Sequence, residues 1–114
     1  MNPIEEIKKT LKIEIRPKSR GTGYLEAIVE KKDLESLKGL LVKYLGPAAK
    51  EEGKEVGFPK EIERIVDSIG GLWIDQSFYY KQEGDRVVYA ALWPWESNSA
   101  KITLKAGECE LKPI

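Results

Sequence analysis

The chain has no histidine and a single cysteine in 114 residues. Without imidazole, Ser-His-Asp and Cys-His nucleophiles are excluded, as are most zinc sites and the HExxH proteases. One cysteine excludes an intrachain disulfide. Cys109 lies between Glu108 and Glu110 and reads as a small apolar residue on an alternating strand. Neighbouring carboxylates raise a thiol pKa, so it is a poor nucleophile. Carboxylates alone leave a hard-cation site open as chemistry, but no D-x-D-x-D-G loop occurs. No cofactor or metal is assigned.

Long apolar runs are also missing. None approaches the roughly 20 residues needed to span a bilayer. The start, Met1-Asn2-Pro3-Ile4-Glu5-Glu6, lacks the basic region and apolar core of a signal peptide, so the expected location is the cytoplasm, without a membrane partner. Net charge is absent too: 19 basic and 19 acidic side chains cancel, which argues against a whole-surface nucleic-acid field. Amides are scarce. Asn2, Asn98, Gln76 and Gln82 are the only ones, against many Lys and Glu, a composition that resembles hyperthermophile proteins.

What remains is enough for a core. This length suits one domain, residues 1–114, burying roughly two-thirds of its unfolded surface. Asn2-Pro3 followed by Glu5 and Glu6 suits the start of a short helix. Leu11, Ile13 and Ile15 then alternate with Lys12, Glu14 and Arg16, the period of a half-buried strand. After a turn-rich loop over 17–23, Leu25, Ala27 and Val29 alternate with Glu26, Ile28 and Glu30, completing a hairpin.

Asp33 is placed to cap a helix carrying Leu34, Leu37, Leu40, Leu41, Tyr44 and Leu45, ended by Gly46-Pro47. Gly39 inside it weakens the helix by about 1 kcal/mol relative to Ala, which tight packing against a neighbour would explain. A charged loop over 47–58 leads to Pro59 and a second helix with Ile62, Ile65, Val66 and Ile69, stopped by Gly70-Gly71. Strands over 72–81 and 86–93 flank Glu83-Gly84-Asp85. Strands over 100–105 and 108–112 are expected to flank an Ala106-Gly107 turn, pairing Lys105 with Glu108, Leu104 with Cys109 and Ile102 with Leu111. The order is ββααββββ. It predicts an α+β fold, an antiparallel sheet of about six strands with two helices packed on one face.

Seven of the ten aromatic residues fall between 73 and 95. A two-residue turn near Gly84 pairs even-numbered residues of the first strand with odd-numbered residues of the second. One face then carries Leu72, Ile74, Gln76, Phe78, Tyr80, Val87, Tyr89, Ala91 and Trp93, with Trp95 at its end. The other carries Trp73, Asp75, Ser77, Tyr79, Lys81, Val88, Ala90 and Leu92. Two helices about 10 Å wide cover roughly four strands at about 4.8 Å spacing, hence one face only. The rear face needs another cover: the leading helix or terminal segment, a second copy of the chain, or a partner or ligand.

Three functional readings follow. The first is a non-enzymatic binding or assembly module. It uses the aromatic hairpin 72–95, centred on Trp73, Tyr79, Trp93 and Trp95, for self-association or a protein partner. The second is a small-molecule-binding domain, open to catalysis, with Asp75, Tyr79, Tyr89 and Glu96 lining a pocket between helices and sheet. Partial burial of Asp75 beside aromatics would suit a general acid or base, with Glu96 as a second carboxylate, as in carbohydrate-active sites; protection of a strand edge by a charge is the commoner reason for such an Asp. The third is nucleic-acid contact by the basic N-terminal hairpin. Lys18 and Arg20 in Lys18-Ser19-Arg20-Gly21-Thr22-Gly23 could hold an anion there. That stretch lacks the helix that follows a P-loop or a dinucleotide fingerprint, and a plain hairpin loop accounts for it.

Overall fold

Helical spacing and strand alternation resolve into five strands and three α-helices in a computed structural model, which describes residues 3–11, 13–16, 24–95, 97 and 100–110. The first helix, α1, spans Pro3–Thr10, and strand β1 spans Ile13–Ile15. Strand β2 covers Tyr24–Glu30 and leads through one 3-10 turn, Lys31–Asp33, into α2 at Leu34–Leu45. Helix α3 is Lys60–Ser68. The last three strands are β3 (Ser77–Glu83), β4 (Arg86–Pro94) and β5 (Lys101–Glu110).

All five strands form one antiparallel sheet in the order β1-β2-β5-β4-β3. The expected last hairpin is therefore corrected. Residues 101–110 run as one central strand, with Ala106 opposite Leu25 and Ala90, and Gly107 between Tyr24 and Tyr89. Small residues that resemble a turn locally are here placed between two neighbouring strands. A central strand cannot be folded back on itself, so the expected pairs Lys105 with Glu108 and Leu104 with Cys109 do not form. Leu111 lies outside the described residues.

The β3–β4 hairpin keeps its expected parity. Glu83 pairs with Arg86 across Gly84-Asp85, and Tyr80 with Tyr89. Gly84 takes a φ of 62°, which glycine adopts without strain.

The helices do not share one face, a second correction. Ile4 and Ile7 of α1 and Leu37, Leu41 and Leu45 of α2 pack with Leu25, Ala27, Val29, Tyr79, Ala90, Leu92, Ile102, Leu104 and Ala106. Ile62, Ile65 and Val66 of α3, with Ile69, pack with Phe78, Val87, Tyr89 and Ala91 on the opposite face. Phe78 and Tyr79 are adjacent and point to opposite sides, so both faces of the hairpin are apolar and each needs a helix layer. The short leading helix supplies the difference. Its Ile4 and Ile7 are fully buried, and Glu6 accepts a hydrogen bond from the Tyr44 hydroxyl and an ion pair from Lys43 at 3.4 Å, tying α1 to α2.

Asp33 precedes α2 but makes no side-chain cap bond. Gly39 faces open space rather than a tight contact, so packing does not explain it. No helix among the described residues is long and apolar enough to cross a membrane.

Candidate functional site

Helix α3 ends where Gly70 and Gly71 adopt φ values of 105° and 81°. An L side chain resists that region, so the glycine pair redirects the chain. A Cβ on Gly70 would also stand 2.8 Å from the Trp93 ring. The next residues do not enter the sheet. The Gln76 N–H donates to the Trp73 carbonyl at 3.1 Å, and the Trp73 N–H donates to the Gln76 side-chain oxygen at 2.7 Å. This reciprocal pair closes a turn over 73–76, and β3 starts only at Ser77.

Lys50 locks the turn from behind. Its backbone makes an isolated bridge to Phe78, with N–H donations of 3.1 Å and 3.0 Å in the two directions. Its side chain is buried, with the residue only 4% exposed. Nζ donates to the carbonyls of Ile74 at 3.3 Å, Glu51 at 3.4 Å and Gln76. A buried ammonium is tolerated where its donors are satisfied. The Gly53 N–H adds a bond to the Ile74 carbonyl at 2.7 Å. Three hydrogen bonds therefore join 50–53 to the turn.

The result is a groove of about 650 Å³ between the 55–58 segment, α3 and the 71–74 chain. Val56, Phe58, Val66, Leu72, Trp73 and Ile74 provide its apolar lining. Trp73 is 70% exposed, Ile74 50% and Val56 44%. These are three of the five large apolar side chains exposed among the described residues, the others being Ile15 and Val42. Glu55, Glu63 and Asp67 also line the groove. None of the three carboxylates forms an ion pair among the described residues.

The residues singled out in the sequence are dispersed. Trp73 and Asp75 lie in the turn, not on the rear face of a strand, and Asp75 is exposed, so the burial expected for a general acid is missing. Tyr79 is buried on the α1–α2 face and lines a cleft of about 460 Å³ with Ser77, Lys38, Val42, Glu51 and Glu52. Burial, then Glu52, Glu51 and Glu35, push its phenol above the ordinary value. Tyr89 stands on the α3 face and lines a different cleft of about 580 Å³ with Tyr24, Glu26, Ser68, Ile69, Gly70 and Lys105. Tyr79 and Tyr89 therefore cannot line one pocket.

Trp93 and Trp95 are half-buried. The Lys105 ammonium lies 3.6 Å from the Trp93 ring centroid while donating to the Ile69 carbonyl at 2.8 Å, a cation held over a π face at the end of α3. The Trp95 indole donates to Thr103 at 2.8 Å. Both contacts tie the aromatics into the fold. Lys18, Arg20 and Glu96 lie outside the described residues.

No family model, curated protein or solved structure matches the chain.

The site thus rests on its own geometry. Sequence reasoning singled out Trp73 but missed Lys50, Val56 and Ile74. Gly70-Gly71 followed by Gln76 was the available signal for a turn. Lys50 carried none, since its role depends on carbonyls 24 and 26 residues away.

Proposed function

We propose that the chain is a non-enzymatic binding module that holds a partner protein in the groove beside α3, with Trp73 as the anchor. The observation that carries this reading is the display of a largely exposed tryptophan on a turn held by Lys50 and Gln76. A loose loop would bury such a ring or leave it disordered at little cost. A hydrogen-bonded turn keeps it in solvent, so less conformational entropy is lost when a partner docks. Exposed apolar groups gathered in one groove with a polar rim mark interaction surfaces, and tryptophan is prominent among residues that dominate interface energies.

The test is a photo-crosslinking amino acid at Ile74, with the same group at Val42 on α2 as control. In extract of the source cells, the reading expects a discrete adduct from Ile74 that Trp73→Ala abolishes. No adduct, or the same adduct from Val42, would remove the groove as the binding surface.

A further inference from the structure

Resting on that reading, we infer that the groove's occupant is a short segment of another protein combining apolar anchors with lysine or arginine. The apolar lining is the site, and the charges around it set the sign of what fits.

Glu55, Glu63 and Asp67 share the groove with Trp73 and Ile74. The one cation in the lining is Lys50, and its ammonium is committed to three backbone carbonyls. It offers no donor to a partner. Lys54 is engaged with Glu51 at 2.9 Å, and Lys38 with Glu52 at 3.7 Å. Lys60 and Arg64 of α3 are outside the lining. Within the lining, an acidic partner would thus meet three carboxylates and no available ammonium. A basic one would gain complementary charge beside the apolar contact.

Charge complementarity also weighs against an extended apolar segment without cations. Such a segment would lie on Trp73, Ile74 and Val56 yet partly dehydrate Glu55, Glu63 and Asp67 with nothing in exchange, and an unpaired buried carboxylate is strongly unfavourable. Lysine or arginine flanking the apolar anchors removes that penalty.

The test uses three short synthetic peptides: lysine alternating with leucine, glutamate alternating with leucine, and lysine alternating with serine. Each is titrated into the full chain while backbone amide and indole resonances are followed. The lysine–leucine peptide is expected to move the resonances of Val56, Trp73 and Ile74. Its affinity should fall as salt rises from about 50 to about 300 mM. The other two should bind at least about tenfold more weakly. Glu63→Lys with Asp67→Lys should weaken the lysine–leucine peptide by at least about tenfold and admit the glutamate–leucine one. Both side chains are exposed on α3, so the helix is expected to survive the change.

Equal binding of the glutamate–leucine peptide in the groove would overturn the inference and leave the binding module standing. So would lysine–leucine shifts that map elsewhere. Groove resonances that move with protein concentration alone, together with a doubled mass by light scattering, would make the occupant a second copy and also overturn it. If no peptide moves the groove while the Ile74 adduct persists, the partner chemistry fails by itself; if the adduct is absent too, both fail.

Discussion

The Lys50 ammonium meets the carbonyl oxygen of Ile74 at 3.3 Å across 24 residues of chain. The residue whose backbone it holds is the one whose side chain stands half in solvent. Backbone fixation and side-chain display therefore occur at the same position. The turn over 73–76 is a built element of the surface, and its exposed aromatic belongs to it by construction.

Replacing Lys50 by methionine keeps the length of the side chain and removes its donors. The buried carbonyl of Gln76 and the part-buried carbonyls of Glu51 and Ile74 then lose this donor, Ile74 keeping the Gly53 N–H. Lys50→Met is expected to destabilise the fold by about 1–3 kcal/mol in urea denaturation. A change below about 0.5 kcal/mol would mean that the ammonium is not what holds the turn.

Trp73→Ala should leave stability within about 0.5 kcal/mol of the parent, because the ring contributes little to the core. Phe78→Ala should cost about 3–5 kcal/mol, since Phe78 is fully buried against Phe58, Tyr80 and Tyr89. Parallel thermal or chemical unfolding of the two variants checks this contrast. Comparable losses would place Trp73 in the core rather than on a display surface.

The two glycines of the helical regions should respond with opposite sign. At Gly39 a methyl group meets nothing within 4 Å, and Gly39→Ala should stabilise the protein by about 1 kcal/mol. At Gly70 the φ of 105° and the Trp93 ring 2.8 Å from a new Cβ both resist the change, so Gly70→Ala should destabilise by more than about 1 kcal/mol. Denaturation midpoints decide the matter; two shifts of the same sign would contradict these environments.

These cases mark how far the sequence could be read. Helices α2 and α3 were legible from their apolar spacing and glycine stops, and the β3–β4 parity from Gly84. Each is decided within about ten residues of chain. The position of β5 was not legible. Ala106-Gly107 has the composition of a turn, yet pairing with Tyr24 and Leu25 on one side and Tyr89 and Ala90 on the other makes it the middle of the sheet. That choice is made by long-range partners. The same applies to the groove. Trp73 was visible as an aromatic, but its face was misassigned because Gln76 takes the Trp73 N–H before the strand begins. Val56 and Ile74 share the groove only through long-range bonds such as that from the Gly53 N–H to the Ile74 carbonyl.

Stability should fall in alkali through Tyr79. Burial holds its phenol above the ordinary value of 10.0, with Glu52, Glu51 and Glu35 adding to the effect. Below about pH 10 both the folded and unfolded states keep the proton. As pH rises past that point the unfolded state ionises first, so the stability associated with the protonated group is lost on the way to the folded value. Cys109 is raised above 9.0 by burial, and Tyr44 above 10.0 chiefly by its hydrogen bond to Glu6, so both contribute declines of the same sign. The share of Tyr79 is isolated by comparison with Tyr79→Phe. The parent should lose stability relative to the variant above about pH 10; parallel curves would contradict the assignment.

The fixed presentation of Trp73 is tested most directly by backbone ¹⁵N relaxation of the free protein across residues 72–76. A turn clamped by Lys50 and Gln76 predicts order parameters for Trp73 and Ile74 close to those of the flanking strand, about 0.85. Values below about 0.6 at these two residues would show a mobile loop and contradict a preformed groove.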